Sequence, residues 1–193
     1  RSTLLGQQAQ LEKAYTFHRN GQQAQALSTI ERFLKLHPAS PAYDYALYLK
    51  GTITFTEDLG LLGRLGGQNL SERDQLAAKD SFQAYRELVN RFPNSKYTAD
   101  AKQRLVYIVN ALAEYEVHVA RYYFSRKAYV AAINRAQQAI VDFQDAPALA
   151  DALAVMVDAY DAMGLVQLRD DTKRILETSF PNRNAARDAN KTS

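Results

Sequence analysis

From Tyr97 to Phe124 the chain runs without a Gly or Pro, and the apolar residues Ala101, Leu105, Ile108, Leu112, Tyr115, Val119 and Tyr122 recur alternately four and three apart. That spacing lines them up on one face of a helix and excludes a strand, whose faces repeat every second residue. A second row, Val106, Val109, Ala113, Ala120 and Phe124, lies beside the first. A helix of this length reaches about 40 Å at 1.5 Å per residue, roughly twice the usual globular helix, and so must pack against several neighbours. The pattern predicts an extra-long central helix, the spine of a stacked helical array.

The flanking segments read the same way. Gln7 to Asn20 carries Leu11, Ala14, Tyr15 and His18 at helical spacing, Asn20-Gly21 closes it, and Gln23 to Leu36 follows with Ala26, Ile30, Phe33 and Leu34 facing inward until Pro38 and Pro41 stop it. The hairpin spans about 34 residues, with small Ala14 and Ala26, bulky Phe17 and Phe33 and a terminal Pro38, which is the spacing of a tetratricopeptide repeat. A second hairpin starts at Ala42, pauses, and resumes from Asp74 to Phe92 with Ala78, Phe82, Tyr85 and Leu88 inward. After the spine come Tyr129 to Phe143, then Ala148 to Met163 and Leu165 to Thr178 around Gly164, with Leu153, Val157, Tyr160, Leu168 and Ile175 as core. The expected fold is therefore all-α: a tetratricopeptide superhelix forming one domain over residues 1–181, with hairpins at about 7–38, 42–93, 97–144 and 148–181. Residues 182–193 form a polar C-terminal tail.

Composition narrows the function. The 193 residues contain no Cys, which removes disulfides and thiolate chemistry. With 24 basic and 21 acidic side chains interspersed, the net charge is only +3, so no single-sign field favours nucleic acid. Nothing resembles an apolar membrane span. The glycine-rich insert Leu59 to Gly67 lacks the preceding strand and the Gly-Lys-Ser/Thr ending of a phosphate loop, and reads as a partner-binding or flexible loop. Ser71-Glu-Arg-Asp74 reads as a capping box for the helix after it. His18, His37 and His118 stand at no metal-ligand or triad spacing, and Glu114 and Glu116 point different ways around a helix. The expectation is a non-enzymatic protein without cofactor or metal.

What remains is surface. Stacked helix hairpins expose a concave face that binds extended peptides or helices. The spine brings Tyr115, Glu116, Arg121, Tyr122 and Tyr123 within two turns. Aromatic rings supply apolar area at low entropic cost, and an arginine can pair with a carboxylate. Tyr123 stands at the repeat's usual aromatic position and reads as core, whereas Tyr115 and Tyr122 fit core and binding surface equally well.

Longer words of sequence carry a resemblance. Gln7-Gln-Ala-Gln-Leu11, Ile30-Glu-Arg-Phe-Leu-Lys-Leu-His-Pro38, Tyr48-Leu-Lys-Gly51, Pro93-Asn-Ser-Lys-Tyr-Thr-Ala-Asp-Ala101, Tyr115-Glu116, Tyr122-Tyr123 and Val130-Ala-Ala-Ile-Asn-Arg135 resemble the BamD family of outer-membrane assembly lipoproteins, in order along nearly the whole chain. The resemblance implies a tetratricopeptide protein at the periplasmic face of the outer membrane, held there by a lipidated N-terminal cysteine that, with a first helix pair, would precede Gln7. It implies three kinds of partner: POTRA domains of the barrel-forming subunit BamA, accessory lipoproteins of the same machine, and the C-terminal signals of unfolded outer-membrane proteins. Arg135 matches the family's arginine at the POTRA contact, and Tyr122 and Tyr115, with less specificity, match positions near partner surfaces. Arg121 joins them as a candidate from its place on the spine. An adaptor for another periplasmic or secretion assembly is the alternative.

Overall fold

Three of the helix hairpins turn through the same backbone device. Gly21 (φ 73°), Lys127 (φ 60°) and Gly164 (φ 71°) are left-handed, and the N–H of the residue after each, Gln22, Ala128 and Leu165, donates to the carbonyl five residues back, on Phe17, Tyr123 and Tyr160, at 2.9, 3.0 and 2.9 Å. The left-handed residue itself donates three residues back, to His18, Phe124 and Asp161. This is the double bond of a Schellman cap, which satisfies carbonyls orphaned at a helix end and reverses the chain.

A computed structural model describes residues 3–54, 72–144 and 146–181. Among these, eight helices and no strand occur: α1 Leu4–Arg19, α2 Gln23–Leu36, α3 Tyr43–Thr54, α4 Glu72–Arg91, α5 Thr98–Ser125, α6 Tyr129–Asp142, α7 Leu149–Ala162 and α8 Val166–Ser179. The expected all-α repeat of tetratricopeptide type is what forms. The central helix α5 is 28 residues long. The glycine-rich insert, the Ser71 capping position and the polar tail lie outside the described residues. Helix α1 begins earlier than its apolar pattern does, because Thr3 caps it, its Oγ1 accepting the Gly6 N–H at 3.2 Å.

The residues gather into two compact units, Arg1–Ile108 and Val109–Ser193, with the boundary inside α5. In the first, Leu11, Ala14, Ala26, Ile30, Phe33, Ala46, Leu49 and Ile53 form one core. Ala14 and Ala26 let α1 and α2 approach, and full burial of each large apolar side chain contributes about 1.5 to 3 kcal/mol. The second is built on alanines, Ala113, Ala120, Ala132, Ala136, Ala139, Ala152 and Ala159, all fully buried.

Two expectations about the core fail. The spine row that starts inward at Ala101, Ile108 and Leu112 does not stay inward: Tyr115 and Val119 are only partly buried, Tyr122 is exposed, and Glu116, Val117 and Ala120 take the buried places. A strict seven-residue repeat slips about 20° per repeat around a straight helix, so three repeats rotate the row out of the core. Leu168 and Ile175 are 47% and 54% exposed. Counted from the left-handed turn residue, the places that hold buried Ala26, Ile30 and Phe33 in α2, and Ala132, Ala136 and Ala139 in α6, hold Arg169, Lys173 and Leu176 in α8. Arg169 and Lys173 make that face of α8 polar, and Thr172 alone of α8 is buried.

Lys127 occupies a backbone conformation that costs a side-chain-bearing residue roughly 1 kcal/mol. Lys127→Gly relieves that strain against about 0.5 kcal/mol for the flexibility of Gly in the unfolded chain, and should raise stability by about 0.5 kcal/mol. A rise in the urea midpoint at unchanged slope is the expected readout.

Candidate functional site

In the first unit, a cavity of about 680 Å³ opens between α1, the turn before α3 and the turn before α5. Its frame is a side-chain stitch repeated at successive turns. The Ser40 hydroxyl donates to Gln7 Oε1 at 2.7 Å and accepts the Ala42 N–H at 3.2 Å. One hairpin on, Ser95 donates to Asp44 Oδ2 at 2.6 Å and accepts the Tyr97 N–H at 3.2 Å. In the second unit the corresponding turn has Ala146, and Asn110 Oδ1 accepts the Ala148 N–H directly at 3.2 Å. Each stitch ties a turn to the first helix of the hairpin before it, and the two in the first unit fix what faces the cavity.

Two tyrosines, Tyr45 and Tyr97, line the cavity, and Tyr48 and Tyr85 stand behind them. Tyr45 lies 5.3 Å from Tyr97, centroid to centroid, Tyr97 stacks on Tyr48 at 4.9 Å, and Tyr48 meets Tyr85 at 6.0 Å. Such offset and tilted pairs add to the stabilisation from burial alone. Lys96 Nζ sits 5.0 Å from the Tyr97 centroid. The Tyr48 hydroxyl donates to Asp100 Oδ2 at 2.7 Å, and Arg104 Nε donates to the same oxygen at 2.6 Å. Thr52 and Tyr85 share a 3.0 Å hydrogen bond, and burial pushes the Tyr85 phenol up to about 12. Gly51 lies against that ring; a Cβ there would stand 2.6 Å from Cζ.

Partial burial would raise the Asp100 carboxyl, but hydrogen bonds from Arg104 and Tyr48 outweigh it and hold its pKa below the ordinary 3.8. A carboxylate lowered on folding stabilises the native state above its unfolded pKa, and that contribution is lost as pH falls through the folded value. The Asp100→Asn protein should consequently lose less melting temperature than the parent between pH 6 and pH 3. Equal losses would show that this network contributes nothing to acid stability.

The residues expected at a partner surface lie in the second unit. Arg135 on α6, its side chain 46% exposed, donates from Nη1 to Glu116 Oε2 on α5 at 3.1 Å, and the Glu116 side chain is only 10% exposed. Reading Glu116 as surface was wrong: 3.6-residue periodicity carries it under α6, and an arginine compensates the buried charge. Arg121 Nη2 pairs with Asp151 Oδ1 on α7 at 3.2 Å, both partly exposed. Tyr122 is 52% exposed, with Tyr123 at 5.9 Å and the Arg126 guanidinium 5.4 Å from its ring centroid. Tyr115 is half-buried, as is Tyr123. Arg135 is thus joined to the spine, Arg121 to α7, and Tyr122 stands out as an aromatic beside a cation.

The tyrosine-walled cavity was not singled out from the sequence, because its walls come from positions far apart in the chain. A signal was there: Pro38-Ala-Ser40 and Pro93-Asn-Ser95 repeat the same turn ahead of Tyr45 and Tyr97. Among the described residues, no cluster of three or more His, Asp or Glu could hold a metal, and no helix is long and apolar enough to cross a membrane.

Comparison with known proteins adds an independent line. A family model described as YfiO, outer membrane lipoprotein, matches residues 4–175. The outer membrane protein assembly factor BamD of Neisseria meningitidis serogroup A is 48% identical over 174 residues, covering 90% of this chain and 65% of the relative. BamD of Neisseria gonorrhoeae is 47% identical over 174 residues, covering 90% and 65%. BamD of Vibrio cholerae serotype O1 is 33% identical over 171 residues, covering 89% and 71%. The chain spans 65% of the length of the Neisseria relatives.

Proposed function

Since the chain belongs to the family of the outer membrane lipoprotein YfiO, we propose that it is a non-enzymatic scaffold of outer-membrane protein assembly, working at the periplasmic face of that membrane through a lipid anchor. In this reading the first unit receives the C-terminal signals of unfolded outer-membrane proteins in its tyrosine-walled cavity. The second unit grips a POTRA domain of BamA through Arg135, with Tyr122, Tyr115 and Arg121 as flanking contacts, and accessory lipoproteins of the machine are further partners. The observation that carries the reading is the cavity itself: about 680 Å³, rigidly framed by stitched turns and lined with rings suited to apolar side chains, it is a receptor for polypeptide.

Arg135 supports the POTRA contact because one guanidinium nitrogen holds Glu116 while the side chain remains half exposed, leaving a fork that can meet a carboxylate from outside. Arg135→Lys keeps a positive charge near Glu116 but loses that planar fork, so affinity for a purified POTRA domain should fall about tenfold. Unchanged affinity by calorimetry would remove Arg135 from the interface.

A further inference from the structure

We infer that the tyrosine-walled cavity selects an extended peptide in which a basic side chain neighbours an aromatic one; the inference rests on the reading of this cavity as the receptor for unfolded chains. The lining carries two carboxylates, Glu12 and Asp44, against one ammonium, Lys96. These charges are unevenly placed. Lys96 already lies over Tyr97, and Arg104 lies 6.0 Å from the Tyr48 centroid and bonds Asp100, so that end of the tyrosine row carries the chain's own cations. At the Tyr45 end the charges are negative. Asp44 accepts the Ser95 hydroxyl and, at 2.7 Å, the Tyr45 N–H, and among the described residues no basic side chain pairs with it or with Glu12.

The environment of Tyr45 agrees. Burial first, then the Glu12 charge, hold its phenol above the ordinary value, with Tyr97, Tyr15 and Tyr48 adding to the effect. An electron-rich ring row ending at carboxylates that no described basic side chain pairs with attracts a guanidinium or ammonium twice, through the ring faces and through the charge. The same charges repel a free terminal carboxylate from the Tyr45 end. A signal peptide therefore presents a Lys or Arg to Glu12, with its aromatic residue against the tyrosine row.

The test uses three fluorescent peptides, alike but for Arg, Gln or Glu beside a single Phe, titrated by anisotropy into the whole chain. Arg should bind about three- to fivefold tighter than Gln, as an exposed ion pair allows, and Glu more weakly than Gln. Glu12→Gln, at an exposed position that takes no part in the turn stitches, should bring the Arg and Gln peptides to the same affinity; 0.5 M salt should also remove the Arg preference. Equal affinities for all three peptides, or an Arg preference that survives Glu12→Gln, overturn the inference while leaving the receptor reading intact. No binding by any of the three overturns that reading and this inference with it.

Discussion

Arg135→Ala is expected to cost about 2 to 3 kcal/mol of folding stability, an unusual loss for a half-exposed arginine, because it strands the Glu116 carboxylate beneath α6. The full penalty for breaking a buried pair is discounted because Arg135 itself is 46% exposed and water reaches its side of the bond. Glu116→Gln should lower the cost: in that background Arg135→Ala should remove less than about 1 kcal/mol, since no buried charge is left unpaired. Urea unfolding of the four proteins of the cycle measures this. An equal loss in both backgrounds would mean that Arg135 stabilises by packing of its stem rather than by pairing. The result also bears on tests of the proposed POTRA contact, which Arg135→Ala would perturb by loosening α6 from α5 as well as by removing the guanidinium, so Arg135→Lys is the cleaner probe.

The second large effect is expected at Gly51. The Tyr85 ring, 1% exposed and fixed by Thr52, occupies the space a side chain would need, with Cζ, Cε1 and Cδ1 at 2.6, 2.7 and 2.9 Å from an added Cβ. A ring packed on all sides cannot move aside as the end of a flexible chain can, so Gly51→Ala should destabilise by about 2 to 3 kcal/mol. Adding Tyr85→Leu should restore part of the loss, which a purely helix-propensity effect would not permit, since propensity favours Ala over Gly. Because Tyr85 supports Tyr48, and Tyr48 stacks on Tyr97, Gly51→Ala should also weaken the proposed binding of peptides, though position 51 does not line the cavity.

Much of this was legible along the chain. The helix of residues 23 to 36 and the start of the helix at Tyr129 follow from apolar spacing and from the punctuating Gly21, Pro38 and Gly164, since a helix is closed by hydrogen bonds within a few residues and its signals are local. The spine's length followed from the absence of breakers. The start of α1 did not, because Thr3 caps it from outside the apolar pattern. Arg135 could be named from the family's words, yet its bond to Glu116 could not, for the two lie on different helices and the sequence placed Glu116 outside. The stitched cavity combines Gln7, Ser40, Asp44 and Ser95, residues that read individually as ordinary turn and helix polars.

Periodicity and breakers were enough to specify eight helices, their order and the small residues at which paired helices approach, because these depend on backbone bonding and on which side of a short helix is apolar. Which apolar residues are covered was decided by neighbours. Tyr122 and Ile175 satisfy the same pattern as Ile108 and Leu153, but burial is a property of two surfaces, and a row that drifts around a long helix, or that shares its helix with Arg169 and Lys173, is not the one the neighbouring helix covers. The same reason put a carboxylate, Glu116, inside and two tyrosines, Tyr45 and Tyr97, at a cavity: the energy of a buried charge or a stacked ring belongs to the pair, and only the folded chain brings the pair together.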